Sequence, residues 1–180
     1  GIDYYFVYGP RLDDVVAGYR ELTGPAPLVP RWALGLWQSR ERYKTQQESL
    51  DTLAEFRRRG IPIDTIVQDW LYWKDDQWGS MAFDETRFPD PAAWTREIHD
   101  RFHARLMISV WPKFYTTTEN FRILKDKGYL YPETLKRPTT DWLNHVHTFY
   151  DAFNPQARSV FWDMMNKGLF RHGVDAWWME

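Results

Sequence analysis

The chain has 180 residues, with 23 Lys and Arg against 25 Asp and Glu and a formal net charge of -2. That balance does not suggest a nucleic-acid or anionic-membrane partner, both of which would favour a basic face. The absence of cysteine excludes disulfides and thiolate metal sites, and no apolar run approaches the roughly 20 residues of a membrane span.

The length suffices for one domain with a sizeable core. Aromatic residues make up 18% of the chain, with 11 Trp. Most of these rings must be core, because aromatics bury large areas. Many nevertheless stand beside carboxylates, amides and prolines, a setting that suits a polar ligand with C–H faces such as a sugar.

In chain order, residues 4–8 predict a short aromatic strand. Residues 12–22 predict a helix with Val15, Val16, Tyr19 and Leu22 on one face, stopped by Thr23-Gly24-Pro25. The connector PAPLVP leads to Pro30. Residues 33–38, ALGLWQ, form an apolar run of strand length, followed by a polar loop.

Thr45 or a neighbour caps a helix over 46–59, with Leu50, Leu53 and Phe56 inward and three arginines in its last turn. Gly60 closes it. Residues 65–68 predict a strand ending at Asp69, and a long aromatic loop follows. Asp90 and Pro91 open a helix to about residue 102. Residues 105–110 form a third strand, ending at Trp111-Pro112.

A helix over 119–127 closes at Gly128. Residues 129–150 lack periodicity and predict a loop around Trp142. Asn154-Pro155 opens a helix to about residue 171, and residues 174–179 form the fourth strand. Strands and helices alternate, which is a parallel α/β pattern. A doubly wound sheet and half of an eight-stranded barrel both satisfy it.

In either architecture functional groups gather at the C-terminal ends of strands. Those ends carry Trp37-Gln38, Asp69, Trp111 and Trp178-Met179-Glu180. No Gly-rich phosphate loop follows the first strand, which favours the barrel. Each residue also has a plain structural reading. Asp69 fits a loop cap and Trp111 a rim-packing ring. One of Trp177 and Trp178 must face the core. Glu180 fits a solvated carboxylate. His99 and His103 share a helix face, but HDRFH lacks the glutamate that follows the first His of a catalytic zinc pair, so no metal site is expected.

The stretches PRWALGLWQSRERYKTQQE, GIPIDTIVQDWLYW, WGSMAFDETRFPDP, MISVWPKFY, KGYLYP, FYDAFNP and GVDAWWM, in this order, resemble glycoside hydrolase family 31. Within it they are most similar to the α-xylosidase branch. The resemblance implies the first half of a parallel (β/α)8 barrel over residues 31–180. Residues 1–30 would be the tail of an upstream β-sandwich domain and a lead-in helix.

It further implies a retaining exo-α-glycosidase that releases α-linked xylose from xyloglucan-type oligosaccharides by two carboxylates, with no metal or organic cofactor. By the same resemblance, position 180 is that of the attacking carboxylate. Asp69 matches a residue that holds sugar hydroxyls, Trp111 an aromatic wall, and Trp178 a further substrate contact.

The sequence departs from the family twice. Position 180 holds Glu where the family has Asp, either as a substitution or as a later Glu of the family motif with intervening residues skipped. The acid/base lies downstream of the attacking residue in the family and has no counterpart here. The expectation is therefore a fragment that is inactive alone, with the remainder of the barrel on the same or another chain. Two alternatives stand beside it. One is a half-barrel that assembles through its sheet edges with a complementary chain or with itself. The other is a non-catalytic sugar-binding module that keeps Asp69 and Trp111.

Overall fold

The computed structural model describes residues 2–180. They fall into two compact units, one up to Leu34 and one from Gly35 to Glu180.

The first unit contains helix α1 (Leu12–Thr23), with Asp13 and Asp14 in its first turn, where carboxylates suit the helix dipole. Gly24, at φ +80°, ends the helix by donating its N–H to the Arg20 carbonyl. The strand expected at residues 4–8 does not form. A strand needs a hydrogen-bonding neighbour, and no described segment of this unit supplies one. Val7 instead approaches α1 at Gly18, where a Cβ would lie 2.7 Å from Val7 Cγ1. The strand expected at 33–38 is also shortened. Its first residues belong to a single 3-10 turn (Arg31–Leu34), closed by the Ala33 N–H donating to the Pro30 carbonyl at 3.0 Å.

The second unit opens with β1 (Trp37–Gln38). Helix α2 (Gln46–Arg58) starts at Thr45, whose Oγ1 accepts the Glu48 N–H at 3.1 Å. Strand β2 (Thr65–Gln68) is buried at all four positions. Helix α3 (Pro91–Asp100) is capped by Asp90, which accepts the Ala93 N–H at 2.8 Å, with Pro91 in the first turn. Strand β3 (Arg105–Val110) and the short β4 (Lys113–Tyr115) follow. Thr118 caps helix α4 (Glu119–Asp126). Then come α5 (Pro132–Lys136), β5 (Thr139–Thr140) and β6 (Val146–Phe149). Asn154 accepts two backbone N–H groups at the start of α6 (Pro155–Gly168). A 3-10 turn (Phe170–His172) leads to β7 (Ala176–Met179).

Four strands make a parallel sheet in the order β1-β2-β3-β7. Successive strands are joined through helices, as parallel pairing requires. Leu106, Ile108 and Val110 on the central β3 are wholly buried. They share a core with Leu50 and Leu53 of α2, Trp94 and Ile98 of α3, and Phe161 and Met165 of α6. The Trp94 indole donates to Ser49 Oγ at 2.8 Å and ties α3 to α2. At the N-terminal end of the sheet, the Asp175 carboxylate accepts the Leu106 N–H at 2.9 Å and meets His99 Nε2 at 2.7 Å. His99 is thus engaged in the scaffold.

Residues 129–150, expected as a loop, contain α5, β5 and β6. With β4 they make a second, antiparallel sheet in the order β4-β6-β5. Its pairings join distant residues, such as Lys113 with Phe149, so local periodicity could not disclose them. The last helix also stops at Gly168, short of 171. There a Cβ would lie 1.6 Å from the Met81 carbonyl oxygen, so α6 rests its backbone directly on the loop after β2. Among the described residues no helix is long and apolar enough to cross a membrane.

Candidate active site

The parallel strands present their C-terminal ends on one rim. β2 delivers Asp69, β3 delivers Trp111, and β7 delivers Glu180. The Glu180 N–H donates to the Val110 carbonyl at 3.0 Å, which extends the β3–β7 ladder by one residue. Asp69, Trp111, Trp178 and Glu180 line one cleft of about 260 Å³, together with Trp70, Trp78 and Trp142. The four residues to which the resemblance gives a role are therefore brought together, while Trp37 and Gln38, also at a strand end, are not among the lining residues. Strand alternation sorts the tryptophan pair. Trp177 turns toward Trp162 and Phe170, at 6.2 and 6.3 Å between ring centroids, while Trp178 lines the cleft.

Burial pushes the Glu180 carboxyl above its ordinary value, and the charge of Asp69 pushes it further up. The Trp111 side chain offsets part of this. Asp69 Oδ1 accepts the Trp70 N–H at 2.7 Å, which fixes one side of its carboxylate.

The loop after β2 carries Trp70 and Trp78. Leu71 adopts φ +59° and turns the chain sharply away from Asp69. Arg87 then staples the loop, donating to the Leu71 carbonyl at 2.7 Å and to the Trp73 carbonyl. Asp84 orients Arg87 through a 2.8 Å contact. Burial opposes ionisation of Asp84, but Arg87 and Thr86 prevail and hold its pKa at about 2.

Trp78 is 1% exposed and sits at the centre of an aromatic group. Its ring centroid lies 5.7 Å from that of Trp70, 5.1 Å from Trp111 and 5.5 Å from Trp142. Gly79 sits at φ +96°, and a Cβ there would lie 2.5 Å from the Lys113 carbonyl. Glycine lets the loop lie flat on β4 and brings Trp78 over Lys113. The indole Nε1 of Trp78 is buried and has no hydrogen-bond partner among the described residues. Buried donors in this state suit a ligand oxygen.

The cleft thus sets two carboxylates and an unpaired N–H donor among flat aromatic walls, groups that can meet both the hydroxyls and the C–H faces of a polar ring. Trp70, Trp78 and Trp142 were not singled out as site residues from the sequence. The available signals were local: Trp70 directly follows the strand-end aspartate, and Trp78 precedes a turn glycine.

Residues 26–180 match the family model described as the glycosyl hydrolases family 31 TIM-barrel domain. An α-xylosidase of Saccharolobus solfataricus is 44% identical over 179 residues, which is 99% of this chain and 22% of that protein. The crystal structure of a family 31 α-xylosidase from Xanthomonas citri superposes with a TM-score of 0.87 at 44% identity, covering 93% of this chain and 18% of that one. A family 31 α-xylosidase from a soil metagenome, solved in complex with xylose, gives a TM-score of 0.77 at 36% identity, covering 88% of this chain and 23% of the other. The chain thus spans about a fifth of the length of these relatives.

Proposed function

This chain belongs to glycosyl hydrolases family 31, and we propose that its aromatic cleft is the sugar site of a retaining exo-α-glycosidase of α-xylosidase type. The substrate would be an α-linked xyloside of the xyloglucan-oligosaccharide class. The observation that carries this reading is the convergence of Asp69 and Glu180, at the ends of the two strands that flank β3, inside a tryptophan-walled cleft.

In this mechanism Glu180 attacks the anomeric carbon and holds the glycosyl group as an ester, which water then cleaves. Asp69 accepts hydrogen bonds from sugar hydroxyls. Trp111 and Trp178 pack against the C–H faces of the ring. A second carboxyl group must protonate the leaving oxygen, and no residue of this chain is assigned that role. The parallel sheet is read as the first half of a (β/α)8 barrel over residues 31–180. Residues 1–30 are read as the end of an upstream β-sandwich and its lead-in helix. Residues 1–180 alone would then bind sugar without turning it over.

A second reading draws on the edge strands. β1 and β7 each pair on one side within the sheet, and Met179 on β7 is 55% exposed. Such edges accept further strands, so a complementary chain, or a second copy of this one, could complete the barrel.

The test is hydrolysis of p-nitrophenyl α-D-xylopyranoside by the protein at its full natural length, followed by proton NMR. α-Xylose as the first-formed anomer is expected. β-Xylose first, or no binding of xylose at all, would sink the reading. Glutamate is one methylene longer than the aspartate usual at this position. Glu180→Asp is therefore expected to raise kcat, by up to about 100-fold on the scale of a 1 Å correction.

A further inference from the structure

One wall of the cleft is held in an unusual way. Trp142 is 66% exposed, yet its ring stays in edge contact with Trp78 and with Trp70, at 5.5 and 6.4 Å between centroids. It sits on the turn between β5 and β6, outside the parallel sheet. An exposed indole on such a turn is ordinarily free to swing. Here the residue before it is fully committed. The Asp141 carboxylate pairs with Lys113 and accepts the Tyr115 hydroxyl at 2.7 Å. Its other oxygen accepts the backbone N–H groups of Leu143 at 3.0 Å and His145 at 3.2 Å, so the turn closes around it. Asn144, at φ +63°, completes that turn and donates its N–H to the Asp141 carbonyl at 2.9 Å.

Both members of the ion pair are buried, with side chains 2% and 3% exposed. Burying two charges costs several kcal/mol per ion before their attraction is counted, and apolar replacements often give equal stability. A buried pair is therefore better explained by position than by stability. The position is specific. Lys113 Nζ lies 3.8 Å from the Trp78 ring centroid and 4.6 Å from that of Trp142. The ammonium thus contacts both rings, which line the same cleft.

We infer that Lys113 and Asp141 are positioning residues that seat Trp142 as the outer wall of the sugar cleft, making Trp142 a determinant of how tightly the sugar is held. This rests on the proposed sugar-binding reading. Neither charged residue needs to touch the sugar. They act through the indole.

The test compares Asp141→Asn, Trp142→Ala and the double variant in the protein at its full natural length, with D-xylose as the probe. Trp142 is exposed, so its truncation leaves a folded protein whatever happens to Asp141→Asn. The seating of the indole is read without ligand, from near-ultraviolet circular dichroism of the Trp78–Trp142 pair. Expected are loss of that signal in both single variants and a xylose dissociation constant raised roughly tenfold in each. The double variant should be no worse than either, because both changes remove one wall.

Additive losses in the double variant, or an unchanged indole signal in Asp141→Asn, would overturn the inference. If Trp142→Ala binds xylose normally while Asp69→Ala does not, this inference fails and the sugar site stands. If the unaltered protein binds no xylose, both fail together.

Discussion

The two ends of the parallel sheet are built for different purposes. At the N-terminal end, the Asp175 carboxylate is surrounded by partners from its own chain: His99, Arg105 and the Leu106 N–H. At the C-terminal end, two carboxylates line one cleft, where burial and the charge of Asp69 raise the cost of ionising Glu180, and the buried indole donor of Trp78 has no partner among the described residues. One end spends its polar groups on holding the fold. The other leaves them poised for something outside it. Unpaired buried groups persist where a ligand completes them, because each one costs stability in the free protein.

Four changes would break or sharpen this contrast. The largest effect is expected for Glu180→Gln at the C-terminal rim. In the protein at its full natural length it should lower kcat by about 10,000-fold or more, as removal of an attacking group does. The melting temperature should hold or rise slightly, since a like-charge neighbour of Asp69 is gone. A large loss of stability would mean that Glu180 belongs to the scaffold.

Asp175→Ala should do the reverse, costing about 3 kcal/mol in urea unfolding because it strands three donors in a partly buried site. Xylose affinity should stay near that of the unaltered protein under folding conditions. A selective loss of affinity would erase the division between the two ends.

The third change uses pH. Asp84 titrates near 2 in the folded protein, below its ordinary 3.8. Its contribution to stability is fully present above about pH 4 and is lost as pH falls toward 2. That contribution is about 1–2 kcal/mol. Asp84→Asn should remove this acid-dependent step from unfolding curves recorded between pH 2 and 5, and persistence of the step would assign it elsewhere.

The smallest effect concerns the orphan indole. Replacing Trp78 by the benzothienyl analogue, in which sulfur stands for the N–H, should leave stability unchanged and weaken xylose binding about fivefold to tenfold, the value of one hydrogen bond. Calorimetry showing equal affinity would mean that the N–H is simply unsatisfied.

Much of the parallel layer was legible because its signals are local. Thr45, Asp90-Pro91 and Asn154-Pro155 each mark a helix start that the fold uses. Short β-branched and apolar runs before Asp69 and Trp111 mark β2 and β3. The strand-end rule then placed Asp69, Trp111, Trp178 and Glu180 on one rim. The antiparallel excursion stayed hidden because its order depends on partners far away in sequence. Lys113 and Asp141 are 28 residues apart, and nothing near either residue announces the other. Trp142 was visible as a tryptophan in a loop, but its place in the cleft depends on that distant pair. Residues 4–8 erred in the opposite direction, since aromatic strand propensity without a neighbouring strand does not make a strand.

The contact between Gly168 and the Met81 carbonyl has a consequence for anyone seeking to make this protein more robust. Replacing a helical glycine by alanine is a standard stabilising step, worth up to about 1 kcal/mol. At Gly168 the added methyl would collide with a backbone oxygen. Met81 itself holds φ +52°, leaving that peptide little freedom to retreat. A sequence-based stabilisation scheme would choose this position early, and the substitution would push the loop that carries Trp78 off the end of α6.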